Sequence, residues 1–293
     1  MDDRPRAAAL MLASSASFAA MAAFVKLAPA VPVLEKVLLR NLVTLFVAGA
    51  LVRHNHRPAL GRAGNRGWLL LRSLLGIGGV ACYFYAIDHL LLADASMLTK
   101  LSPFVTTLIA AAALGEAITG RTAVALVVGF VGGLLVIKPR FDLEVLPALI
   151  GAGSALFAGG AYAVVRLLRD REPPETIVFV FSLVSVVGLL PVVAGSFTVP
   201  SPADAAWLLG IGLAAAGGQF GLTAAFRHAP AAEVSLISYS LIVFSALIGW
   251  LFWGEIPDAA SLVGGTLIIL AGAAVVLRGR VPAAPAGGAP GGG

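Results

Sequence analysis

Four cations stand within or beside long apolar stretches of this 293-residue chain: Lys26, Arg40, Arg72 and Lys100. Away from water an unpartnered cation is costly, and an anionic group brought to it is held more strongly than in solution. Lys100 is the sharpest case, six residues after Asp94 and three before Pro103. Six residues is poor helical spacing for a direct pair. A lysine at the centre of a membrane helix costs about 2.5–3.5 kcal/mol on insertion scales. Its ammonium is therefore expected to face an internal cavity and attract the anionic end of a solute. Pro103 supports this, because a broken hydrogen-bond ladder leaves backbone carbonyls facing such a cavity. Lys26 lies near the end of the first apolar stretch, where snorkelling to an interface and contact with a solute both stay open. Arg40, with Glu35 five residues before it, reads as one half of an interfacial pair. Arg72 reads as an anchor to lipid headgroups. Asp88, Asp94 and Glu233 fall at or near helix ends, so the interior charges are cationic. That bias favours an anion, or a zwitterion carrying a carboxylate or phosphate.

Composition says what kind of element holds these groups. Hydrophobic residues make up 59% of the chain, charged residues 12%, and the mean hydropathy is +0.96. A soluble domain carries about 25% charged residues, so an integral membrane protein is expected. About 20 apolar residues cross the hydrocarbon core. Ten such runs are present, near 7–29, 35–52, 67–87, 91–114, 121–138, 146–168, 176–195, 205–226, 231–253 and 259–277. They are continuous rather than alternating, which predicts helices and not strands. Arg53, Arg57, Arg62, Arg66, Arg121, Arg171 and Arg278 gather on one side, against Lys36, Lys138 and Arg140 on the other. This imbalance predicts an inner-membrane protein with both termini cytoplasmic. It also accounts for the net charge of +5 without a nucleic-acid partner. The lone Cys82 excludes an intrachain disulfide and reads as a small buried hydrophobe. Residues 1–6 are expected to be a short cytoplasmic lead and 279–293, almost all Pro, Ala and Gly, a disordered tail.

The second half repeats the first at an offset of 139, as Trp68 to Trp207. Gly78-Gly79 falls on Gly217-Gly218, His89 on His228, and Ala93-Asp94-Ala95-Ser96 on Ala232-Glu233-Val234-Ser235. Gly115-Glu116 falls on Gly254-Glu255, and Ser15 and Phe18 on Ser154 and Phe157. Five helices per repeat is an odd number, so the second copy must enter the membrane from the opposite side. Two inverted-topology repeats, 7–138 and 146–278, give an all-α, ten-helix architecture, with a binding site expected near the midplane between them.

Two five-helix repeats of this kind, each with a small residue, an acid and a serine opening the fourth helix and Gly-Glu closing it, resemble EamA domains of the drug/metabolite transporter superfamily. The Leu101-Ser102-Pro103-Phe104 run followed by Gly115-Glu116 is similar to that family's fourth-helix signature. The second copy has Leu241-Ile242 where a proline would stand, which predicts unequal bending of the two helices. The resemblance implies a carrier with a central cavity lined mainly by helices 1, 3, 4, 6, 8 and 9. It does not name the cargo.

Tyr239, the repeat equivalent of Lys100, together with Tyr83 and Gln219, offers polar edges to such a cavity, so Lys100, Tyr239, Tyr83, Gln219 and Lys26 form the expected substrate-binding set. Asp94, Glu233, His89 and His228 are gate or coupling candidates, the histidines because imidazole titrates near neutrality. Glu116 and Glu255 end helices, where a carboxylate opposes the macrodipole, so each should pair locally or cap the following helix. No G-x-x-x-x-G-K-[ST] run, metal-ligand cluster or nucleophile-base set is present, so neither ATP hydrolysis, a cofactor, a metal nor catalysis is expected. The expected partners are a small-molecule substrate and the lipid bilayer, and the sequence names no coupling ion. The leading expectation is a secondary transporter of a small anionic or zwitterionic metabolite. An exporter of amino acids or amphipathic drugs, with structural cations, is the alternative. An integral membrane enzyme would need a polar cluster at one interface that the sequence lacks.

Overall fold

A computed structural model describes residues 4–114, 118–138, 145–168, 171–228 and 231–278. The expected tail and Glu116 fall outside them. Among the described residues there are twelve α-helices and no strand. They are α1 (Arg4–Lys26), α2 (Val33–His54), α3 (Arg66–His89), α4 (Leu92–Thr99), α5 (Ser102–Leu114) and α6 (Gly120–Ile137). The second half gives α7 (Leu146–Leu168), α8 (Pro174–Ala194), α9 (Pro202–His228), α10 (Ala231–Ser238), α11 (Ser240–Trp253) and α12 (Ala259–Arg278). Six helical stretches are long and apolar enough to cross a membrane by length and composition: 4–26, 63–89, 146–168, 174–194, 202–225 and 236–253.

Twelve helices arise from ten expected runs because the fourth and ninth are each broken. In the fourth, Pro103 has no N–H, and its ring clashes with the carbonyl of Thr99, so α4 stops there. Lys100 and Leu101 are left between α4 and α5, and their N–H groups bond three residues back, to Met97 and Leu98, at 3.1 Å each. The ninth run has no proline, yet it tightens at the equivalent place. Tyr239 N–H bonds Leu236 at 3.2 Å and Ile242 N–H bonds Tyr239 at 3.0 Å, which separates α10 from α11 by one residue. The break is two residues long in the first copy and one in the second, so the copy without the proline is broken as well.

Helix ends are set by short-range chemistry. Thr119 accepts from Thr122 N–H at the start of α6, Pro174 opens α8, and Asp258 accepts from Ser261 N–H at 2.9 Å to start α12. Gly254 closes α11 in the left-handed region at φ 64°, where glycine carries no steric penalty.

The packing has a two-fold logic. Helix α1 lies on α9 and α11, and α7 lies on α3, α4 and α5. Helix α2 meets α8, α4 meets α11, and α6 meets α12. Exchanging the two halves maps most of these contacts onto one another, with α7 on α4 matched by α1 on α10; the contact of α4 with α11 has no comparable counterpart between α10 and α5. The repeated small residues explain the correspondence: the Phe18 ring fills the space where a Cβ on Gly218 would stand, and Phe157 does the same at Gly78. With no hydrophobic force between helices in lipid, such close approaches supply the van der Waals contact. Gly159 is the tightest of them on α7. A Cβ there would lie 2.6 Å from Val105 Cβ and 2.9 Å from the Ser102 carbonyl oxygen. Gly159→Val should cost about 1–3 kcal/mol as overpacking and lower the melting temperature in detergent. Gly153→Ala, where nothing lies within 4 Å, should leave it unchanged or raise it.

Candidate functional site

The two helix breaks face each other. Lys100 Nζ donates to Ser238 Oγ at 3.1 Å and sits 6.0 Å from the centre of the Tyr239 ring. Lys100 is thus not in mid-helix but at the break, on the capping residue of α4. Beside it, Tyr83 of α3 meets Ser96 of α4 at 3.1 Å, and Ser96 donates to Ser245 of α11 at 2.8 Å. The structure therefore brings Lys100 to Tyr239 and places Tyr83 on a buried hydroxyl chain linking α3, α4 and α11. Gln219 stands apart, half-buried on α9.

Lys26 belongs to a separate ionic layer at the C-terminal end of α1. It pairs with Glu255 and donates to the Leu90 carbonyl at 3.0 Å. The other Glu255 oxygen accepts from Leu92 N–H at 2.8 Å, at the start of α4. Glu255 does cap a helix N-terminus, but that of the other repeat. Lys36, fully buried, bonds both oxygens of Asp88 at 2.7 and 2.8 Å and the Val25 carbonyl at 3.2 Å. Lys138 lies 3.0 Å from Asp258 and 3.7 Å from Asp94, so Asp94 answers Lys138 rather than Lys100. The Asp258 carboxyl is held below the usual carboxylate range by the Ser261 N–H first and Lys138 second.

His89 is exposed, its Nδ1 2.8 Å from the Tyr85 carbonyl and its ring stacked on Tyr85 at 4.2 Å. His228 ends α9, at the opposite end of the bundle. Glu233 lies on α10, and its side chain is outside the described residues. At that opposite end the chain is also tied across repeats. Glu172 accepts from Arg62 N–H at 2.8 Å and from Asn65 at 2.6 Å, and Thr176 donates to the Pro58 carbonyl at 2.8 Å.

Two arginines are not where spacing predicts. Arg40 is 1% exposed and hydrogen-bonds Asn41 Oδ1 at 2.7 Å, not Glu35. Five residues on a helix turn through about 500°, which leaves the two side chains on different faces. Glu35 instead accepts from Thr198 N–H at 3.1 Å. Arg72 is 6% exposed and does not reach lipid headgroups. Its guanidinium lies 4.0 Å from the Phe181 ring centre, and that of Arg40 lies 5.6 Å from the same ring. Tyr162 of α7 interacts electrostatically with both. Only the cationic character of these residues was visible in the sequence; the ring that gathers them lies more than 100 residues away. An apolar crevice of about 370 Å³ between α6 and α12, lined by Val124, Val128 and Leu270, holds no group suited to a charged solute.

Long apolar helices packed as two like halves, with broken helices and cations meeting inside, define a multi-pass membrane transporter. The chain belongs to the EamA-like transporter family, whose profile matches residues 5–138 and again 145–278. It is 39% identical over 265 residues to the pseudopaline exporter CntI of Pseudomonas aeruginosa, covering 89% of this chain and 93% of the relative. It is 32% identical over 203 residues to a riboflavin transporter of Rhizobium johnstonii, covering 69% and 67%. An S-adenosylmethionine uptake transporter of Rickettsia felis is 27% identical over 207 residues, covering 68% of each. The fold also matches a crystal structure with a TM-score of 0.66, over 95% of this chain and 99% of that one, at 20% identity.

The Lys26–Glu255 pair is largely buried, so its worth should fall between the roughly 0–1 kcal/mol of exposed pairs and the 3–5 kcal/mol lost on breaking buried ones. A double-mutant cycle with Lys26→Met and Glu255→Gln, read by thermal unfolding, should give a coupling above 1 kcal/mol. Additive single effects would mean the pair is not formed.

Proposed function

We propose that this chain is a secondary, ATP-independent carrier, not an enzyme, that moves a small anionic or zwitterionic metabolite by alternating access. In this reading ten spans form two inverted five-helix repeats in the inner membrane, with both termini cytoplasmic. The fourth and ninth spans are the broken pairs α4–α5 and α10–α11. The observation that carries it is the meeting of the two breaks at Lys100, Ser238 and Tyr239, inside a packing most of whose contacts correspond when the repeats are exchanged. Broken helices at the interface of inverted repeats are where carriers of this kind hold their cargo. The ionic layer of Lys26, Glu255, Asp94 and Lys138 then closes one face, and the Glu172 ties close the other. Similarity to an exporter at 39% identity supports export as the direction.

Lys100 binds the anionic end of the cargo, with Tyr239, Tyr83 and Gln219 as polar edges. Among the described residues its hydrogen-bond partner is the neutral Ser238, which leaves the charge to be answered by a ligand. Thermal-shift binding over amino acids, dicarboxylates and phosphorylated metabolites should find a stabilising ligand for the parent. Lys100→Ala should remain folded and weaken that ligand at least tenfold, about 1.4 kcal/mol. Lys100→Arg should be only partly tolerated, because a planar fork does not replace a compact ammonium. Equal binding and transport by Lys100→Ala would overturn the assignment.

Topology is tested separately. With Cys82 replaced by serine, single cysteines at Arg62 and Arg171 should label from the same face, since Arg62 bonds Glu172. A cysteine at Lys138 should label from the other face. Labelling of Arg62 and Arg171 from opposite faces would overturn the inverted arrangement.

A further inference from the structure

The cations of this protein divide into two kinds. Lys26, Lys36 and Lys138 each reach a carboxylate. Arg40 and Arg72 reach none among the described residues, although they are the more deeply buried of the arginines. Both are presented to one ring, Phe181, so that two like charges share one small space. A ring face offsets about 0.5–2 kcal/mol per cation, well short of the several kcal/mol that burying an uncompensated charge costs. Asn41, the one side chain among the described residues hydrogen-bonded to either, is neutral. Arg72 Nε and Nη1 and Arg40 Nε have no acceptor among the described residues.

The direction in which Arg72 points matters as much as its burial. Arg72 is in the second turn of α3, and side chains on a helix lean back toward its N-terminus. A long cation so placed ordinarily snorkels toward that end and its water. Here the side chain runs the other way. Its Nη1 lies 3.1 Å from where a Cβ on Gly76 would stand, one turn further into the membrane. The same Cβ would lie 2.7 Å from the Phe181 ring. Glycine at 76 therefore opens the slot that admits both the ring and the guanidinium, and no water-facing alternative is used.

We propose that Arg40 and Arg72, spread around Phe181, form a second anion-binding subsite that takes a carboxylate group of an organic solute. The subsite rests on the carrier reading above and extends it: the cargo presents at least one carboxylate to the arginines, distinct from the group that meets Lys100. Guanidinium groups are planar forks that bind carboxylates through paired N–H donors. The unused Nε and Nη1 of Arg72 lie on different edges of the guanidinium, each next to Nη2, so each edge keeps a donor for a carboxylate oxygen. A bound carboxylate supplies the negative charge the protein withholds and removes the repulsion between the two arginines.

The test uses the full-length protein in detergent, with ionic strength held constant by sodium chloride. Succinate and citrate should raise the melting temperature of the parent saturably, beyond chloride alone. Arg40→Gln and Arg72→Gln should each weaken succinate at least tenfold. Without added anion both should be as stable as the parent or more so, because one of two like charges is gone. Arg72→Lys keeps the charge but loses the fork, and should weaken succinate severalfold. Absence of any succinate or citrate effect on the parent overturns the subsite whatever the variants do. So does stabilisation by inorganic phosphate with the carboxylates inert, or a loss of ligand-free stability in both glutamine variants, which would make the pair structural. If Lys100→Ala abolishes transport while Arg72→Gln leaves succinate binding intact, the carrier reading stands and the subsite falls. The converse, intact transport by Lys100→Ala with succinate lost in Arg72→Gln, keeps the subsite and removes the Lys100 assignment.

Discussion

In hydrocarbon a backbone carbonyl or N–H has no water to turn to, and every polar group must find its partner within the protein. The rest of this structure follows from that constraint. It is why the described residues form helices and no strand, and it makes each interruption of a helix consequential. Where Pro103 ends α4 and the ninth run tightens at Tyr239, the backbone shifts to bonds three residues back instead of leaving groups unpaired. The two interruptions are set against each other in the interior, where Lys100 and Ser238 complete the local bonding.

The same constraint sorts the charges. At the end of the bundle that carries Lys26 and Glu255, lysines and carboxylates bind the repeats together, and Glu255 does so twice by pairing Lys26 and capping α4. At the other end the ties run through Glu172 and Thr176 to the segment between α2 and α3. Both ends are thus closed by polar contacts across the repeat boundary. Their chemistry differs, with ion pairs at one end and mostly carboxylate-to-amide and hydroxyl-to-carbonyl bonds at the other. Contacts of this number and modest individual strength suit the alternating access proposed above, in which the halves separate first at one end and then at the other.

Much of this was legible in the letters. The apolar runs gave the helices, and the match of Trp68 to Trp207 and His89 to His228 exposed the duplication. The equivalence of Lys100 and Tyr239 anticipated two residues that come together in space. Partnerships were less legible. Lys26 and Glu255 lie 229 positions apart, and nothing local links them. Glu35 was a natural partner for Arg40 by proximity in the chain, but helical rotation turns it away. Arg72 looked like an interfacial anchor because its position was read without its direction. That direction is set by Gly76 and Phe181, one a neighbour on its own helix and the other on α8, and only packing brings them together.

The division of labour between the repeats carries the argument one step further. Among the described residues four cations lie over aromatic rings: Lys26 over Trp253, Arg40 and Arg72 over Phe181, and Lys100 over Tyr239. In every case the cation comes from the first repeat and the ring from the second. The two halves correspond closely but differ at these positions, where Lys100 stands opposite Tyr239 and Arg72 opposite Ile211 in the repeat. A ring attracts a cation without neutralising it, so Arg40, Arg72 and Lys100 keep their charge, whereas Lys26 is also paired with Glu255. Cation–π attraction is also weak, about 0.5–2 kcal/mol, and less strictly oriented than a bidentate salt bridge. At Arg40, Arg72 and Lys100 the contact between ring and cation can therefore shift without first breaking a strong bond. Ion pairs such as Lys26–Glu255 tie the two halves at one end of the bundle, whereas Arg40, Arg72 and Lys100 against rings hold them more loosely and, on the carrier function proposed above, leave charge for the cargo.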